Sequence, residues 1–102
     1  MPPSIFGNNS GHVAIELMKG EVADAVLEAV REAHGEVKVS ELPGYIIIEV
    51  KARLDVSAEA VRDQLGRSDW LMTDLNEIMP AFAGNVETFT VDRLVLSRPA
   101  KK

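Results

Sequence analysis

The chain contains no cysteine, which removes disulfides, thiolate metal sites and cysteine nucleophiles together and suits a reducing cytoplasm. Histidine is scarce: His12 and His34 fall in different elements, and neither belongs to a spaced ligand motif. No apolar run approaches the roughly 20 residues needed to span a bilayer. The first residues show no basic segment leading into an apolar stretch, so a signal peptide is not expected. Cations are few as well, 11 against 16 acidic residues, and they are scattered apart from Arg98, Lys101 and Lys102. A net charge of −5 with no basic cluster disfavours nucleic acid, whose binding depends on neutralising phosphates. It suits solubility or a basic protein partner.

Catalytic equipment is missing too. Gly7-Asn8-Asn9-Ser10-Gly11 contains glycine but neither follows a strand nor opens a helix, so it fails the context of a phosphate loop. No serine sits in a nucleophile elbow. Carboxylate pairs such as Asp63 with Asp69, or Asp74 with Glu77, have nothing in the sequence to drive their pKa values apart, as acid–base catalysis requires. The expectation is a protein without metal, cofactor or catalytic residues.

What remains is an ordinary folding sequence. With 46% hydrophobic and 26% charged residues over 102 positions, it can bury one core. Residues 1–10 are read as a flexible N-terminal arm, 11–98 as one domain and 99–102 as a basic tail. His12 to Met18 alternates, with Val13, Ile15 and Leu17 on one face, and predicts a strand. After Gly20, Val22, Val26, Val30 and Ala33 recur at helical spacing up to about His34, where Gly35 stops the helix. His34 is then most simply a helix C-terminal residue that favours the dipole. Val37 and Val39 begin a second strand, and Pro43-Gly44 turns it into the strong strand Tyr45 to Ala52. Ser57 is the expected N-cap of a helix from Ala58 to Leu65 that Gly66 ends, with Val61 and Leu65 as its anchors. Asp69 to Met79 has some helical character, Pro80 interrupts it, and Ala81 to Gly84 reads as strand and turn. Thr88 to Val91 and Leu94 to Ser97 predict two strands about a turn at Asp92-Arg93. The fold class is α+β, a compact two-layer domain with a mainly antiparallel sheet in the order β-α-β-β-α-β-β.

The single tryptophan, Trp70, follows the polar loop Gly66-Arg67-Ser68-Asp69. It has two readings, a core plug or a partner-facing anchor of the kind common at interface hot spots. A hydrophobic strand–helix–strand opening also admits a small-molecule-sensing α+β domain that works as a homodimer. Such a domain needs a polar, glycine-bearing loop between first strand and first helix, and here the junction is only Met18-Lys19-Gly20-Glu21.

A collinear set of features points elsewhere. Asn8-Asn9 in a polar arm, Gly35, Leu42-Pro43-Gly44-Tyr45, Gln64-Leu65-Gly66-Arg67, Trp70 and Phe82-Ala83-Gly84 follow one another in that order. In this the chain resembles the effector (coupling or regulatory) proteins of bacterial multicomponent soluble di-iron monooxygenases, the family of the methane, toluene, phenol and alkene monooxygenase regulatory components. The resemblance implies a cytoplasmic, non-catalytic subunit without cofactor, monomeric when free. It implies binding to the di-iron hydroxylase α subunit, and interplay with the reductase and, where present, a Rieske ferredoxin. It further implies that oxygen activation, substrate access and the coupling of NADH oxidation to hydrocarbon hydroxylation or epoxidation are tuned by that binding. By position, the docking residues it implies are Asn8, Asn9, Ser10 and Gly11 in the arm, with Arg67 and Trp70 after the second helix. Leu42, Pro43, Gly44, Tyr45, Leu65 and Gly66 would hold the fold.

Overall fold

A computed structural model describes residues 12–98, so the arm with Asn8, Asn9 and Ser10, Gly11, and the tail 99–102 lie outside the described residues. The architecture is α+β with two antiparallel sheets. Seven strands occur, β1 (His12–Met18), β2 (Lys38–Leu42), β3 (Tyr45–Lys51), β4 (Arg53–Ser57), β5 (Ala81–Ala83), β6 (Asn85–Phe89) and β7 (Arg93–Ser97). Between them lie α1 (Glu21–His34), α2 (Ala58–Leu65) and a 3-10 helix over Met72–Glu77. The first sheet runs β2-β3-β1-β5 and the second β4-β7-β6.

The alternation read in β1 places Val13, Ile15 and Leu17 directly across from Val50, Ile48 and Ile46 of β3. Cross-strand pairs of this kind stabilise one face of a sheet. In the second sheet Leu54 faces Leu96 and Val56 faces Leu94. These residues belong to one core, together with Ala23, Val26, Ala29 and Val30 of α1 and Val61 of α2. Helix α1 therefore buries more than a valine stripe, because its alanines let it sit close to its neighbours, while Ala33 points to solvent.

The expected helix ends are all present. Ser57 Oγ accepts from the Ala60 N–H at 3.1 Å, and Gly66 takes the left-handed conformation with its N–H donating to the Arg62 carbonyl at 2.8 Å. Gly35 ends α1 at positive φ too, in a different conformation, with its N–H donating to the Arg31 carbonyl at 2.8 Å. Pro43-Gly44 links Leu42 to its register partner Tyr45, with proline at the first central position and Gly44 at φ +82° at the second, as a type II turn demands.

Three expectations change. β4 was not foreseen, because it follows β3 after only Ala52, and the pair reads in sequence as a single strand with a tail. β6 begins at Asn85, earlier than Thr88, because the register shifts between Val86 and Thr88 and the bulge breaks the alternation that sequence reading depends on. Leu65 is only partly buried, so Val61, fully buried, is the anchor of α2.

The two sheets meet along a crease. The chain crosses it from β3 to β4 at Ala52 (φ +70°) and from β5 to β6 at Gly84 (φ +133°). β1 starts beside the first crossing, with His12 opposite Lys51, and β7 ends there, with Ser97 opposite Arg53. Ala52 is the only non-glycine residue at positive φ among those described. A left-handed conformation costs an L-residue about 1–2 kcal/mol, partly offset by the extra backbone entropy a glycine loses. Ala52→Gly should therefore raise stability by up to about 1 kcal/mol, read as a higher denaturant midpoint with unchanged slope. A fall in the midpoint would show that the Ala52 methyl, though exposed, supplies a contact that outweighs the strain.

Candidate functional site

Among the described residues no group of three or more His, Asp or Glu is placed to hold a metal ion. No described helix is long and apolar enough to cross a membrane. Attention therefore falls on surfaces.

Of the residues expected to dock, Asn8, Asn9, Ser10 and Gly11 lie outside the described residues. Arg67 is exposed on the loop that follows Gly66, beside a shallow groove lined by Glu59, Arg62, Asp63 and Ser68. Trp70 is 3% exposed and belongs to the core, which decides between its two readings. Its indole has no face to offer a partner in this conformation. Its carbonyl does have a role: Arg62 Nε donates to it at 2.6 Å, fastening the loop of Arg67 to the last turn of α2. Arg67 and Trp70 are thus close in the chain but opposite in character, one wet and one dry.

The strand–helix junction is closed. The Lys19 N–H donates to the Gly44 carbonyl at 2.9 Å and Lys19 Nζ pairs with Glu41 at 3.3 Å. This ties the two-residue link between β1 and α1 to the β2–β3 hairpin, so it forms no cradle for a metabolite.

A second, less shallow cleft, unforeseen from sequence, lies between the helices and β4 and includes His34, Arg53, Asp55, Ser57 and Arg93. Its charges are already engaged. Arg93 pairs with Asp55, and Arg53 pairs with Glu87 at 2.9 Å. The Ser97 hydroxyl, and after it the Arg53 charge, hold the Glu87 carboxyl below its ordinary value. Glu87 sits at the irregularity of β6, between Val86 and Thr88. His34 does more than complement the helix dipole: its Nε2 accepts from the Asp55 N–H at 3.0 Å. That bond satisfies an outward backbone donor on β4, an edge strand, and so blunts the edge. Nothing in local sequence could have announced a contact across 21 residues.

Comparison with known proteins follows the fold closely. The model of the MmoB/DmpM family matches residues 11–97. A chain from a solved structure of the phenol hydroxylase–regulatory protein complex superposes with a TM-score of 0.75 at 26% identity, covering 86% of this chain and 99% of that one. A chain from a second structure of such a complex gives 0.71 at 26% identity, over 84% of this chain and 98% of that one. The soluble methane monooxygenase regulatory protein B shares the fold, with a TM-score of 0.64 at 17% identity over 90% of this chain and 68% of its own. A search of curated proteins returns no significant match.

Proposed function

Because the chain belongs to the MmoB/DmpM family, we propose that it is a regulatory, non-catalytic subunit that binds the di-iron hydroxylase of a multicomponent monooxygenase. The observation that carries this reading is the likeness, over 86% of the chain, to a chain found in a hydroxylase–regulatory protein complex. Binding would tune oxygen activation, substrate access and the coupling of NADH oxidation to hydrocarbon oxidation, in concert with the reductase. The docking residues proposed are Asn8, Asn9, Ser10 and Gly11 together with Arg67. Trp70 supports them from within the core through the loop it helps to fix. The domain spans 11–98, and the free protein acts as a cytoplasmic monomer that needs no cofactor.

The physics is a population shift. A subunit without catalytic groups alters a hydroxylase only by binding one of its states more tightly than another, and couplings of about 1–3 kcal/mol change an affinity about 5–150-fold. Product formation and NADH coupling by a purified hydroxylase and reductase should therefore rise severalfold as this protein is titrated toward stoichiometry. A flat titration with every di-iron hydroxylase tried, the phenol-oxidising enzyme included, would remove the proposal.

A further inference from the structure

Between Arg67 and Arg93 the chain carries no lysine or arginine, while Asp69, Asp74, Glu77, Glu87 and Asp92 all fall in that interval. The exposed large apolar side chains gather in the same stretch. Of the five among the described residues, Leu71, Phe82, Val86 and Val91 lie within it, and Met18 is the fifth. Met18 stands apart: its N–H donates to the Ile78 carbonyl at 2.8 Å, but its register puts its side chain on the face of the first sheet opposite to that of Phe82. The Met72 N–H donates to the Val91 carbonyl at 2.9 Å, which brings Leu71 alongside Val91. Phe82 and Val86 stand either side of Gly84, on β5 and β6, which are the outermost strands of the two sheets. Singly exposed apolar residues are normal on any protein, but their concentration in one segment is a mark of an interaction surface.

The carboxylates divide into two kinds. Asp74 accepts from the Leu71 N–H at 3.0 Å, and Glu87 is held by Arg53. Asp69, Glu77 and Asp92 are exposed, and no ion pair among the described residues engages them. The helical face offers no such combination. Its charges are partly engaged, Glu28 by the Arg31 guanidinium and Glu32 by a hydrogen bond from the Gln64 amide, and its large apolar residues Val22 and Leu27 are only partly exposed.

We infer that the surface carried by residues 69–92, where exposed apolar side chains alternate with uncompensated carboxylates, is what this chain presents to its hydroxylase. It requires a partner surface that is apolar at its centre and lined with Lys or Arg at its rim. The inference rests on the regulatory reading above and deepens it, moving the main contact from the Arg67 loop onto the segment that follows. The occupant is a hydroxylase rather than a second copy, because two like-charged acidic faces would repel where this one needs cations.

The test measures binding of the full chain to purified phenol hydroxylase, or to whichever di-iron hydroxylase the wild type binds, across a range of salt concentrations. Phe82→Ser with Val86→Ser should weaken binding by at least about tenfold. Asp69→Asn with Glu77→Gln should slow association and flatten its dependence on salt. Asp24→Asn with Glu36→Gln, the same charge loss along and just after α1, should change neither. Melting curves accompany each variant; should the serine pair unfold, the carboxylate pair alone decides. Wild-type behaviour of the carboxylate pair, or equal damage from the helical pair, overturns the surface. So does a dimer of the free protein that Phe82→Ser dissolves. A wild-type chain that binds no hydroxylase overturns the regulatory reading itself, and this face with it.

Discussion

Gly84→Ala should destabilise the domain by about 2–5 kcal/mol, combining backbone strain of about 1–3 kcal/mol with a comparable cost for overpacking. At φ +133° the residue occupies a region that L side chains rarely adopt. A Cβ there would lie 3.0 Å from the Ser97 carbonyl oxygen and 3.0 Å from Val13 Cγ1. The first is backbone and the second is a fully buried core residue, so neither has easy room to retreat. Gly44→Ala separates the two costs, because Gly44 is also at positive φ but has nothing within 4 Å of an added Cβ. It should lose only about 1–2 kcal/mol. Urea unfolding of the three proteins checks this, and equal losses at the two glycines would show that the crease has more slack than the contacts imply.

Ile48→Ala should cost about 2–5 kcal/mol, the usual penalty for a large core truncation with its residual cavity. Ile48 is 0% exposed and sits in β3 between two strands, opposite Ile15 on one side and Val39 on the other. The strands around it are hydrogen-bonded on both flanks, which limits collapse into the space. For a domain of this size that loss lowers the melting temperature by roughly 4–8 °C per kcal/mol. Leu65→Ala provides the comparison, since Leu65 is partly buried and should fall below that range. A larger loss at Leu65 than at Ile48 would relocate the centre of the core to α2.

Both residues show how far sequence reading reaches. The strand that holds Ile48 was visible from its run of isoleucines, but its buried face was not, because Ile46 to Val50 are buried on both faces and only β1 comes near to alternating. Ser57, Gly66, Gly35 and Pro43-Gly44 were visible because caps and turns are set by chemistry within a few residues of themselves. β4 was hidden by its junction: one residue at positive φ moves the chain to another sheet while its side chains continue to read as strand. Trp70 could not be assigned from sequence, because an indole suits a core and an interface equally well. His34 with Asp55, and the cleft beside them, depend on tertiary pairing that no local pattern encodes. The family likeness was therefore legible in the sequence, while the exposure of Arg67 and the burial of Trp70 belong to the three-dimensional structure.

The crease carries one more consequence, a mechanical one. β1 starts there with β3 on one flank along its whole length and β5 on the other. A pull at His12 along the β1 axis would load both ladders in shear, and their bonds would have to yield together rather than one by one. The sheet therefore behaves as an anchor plate. Force reaching His12 along that axis is therefore shared by the neighbouring strands instead of peeling β1 away from one of them.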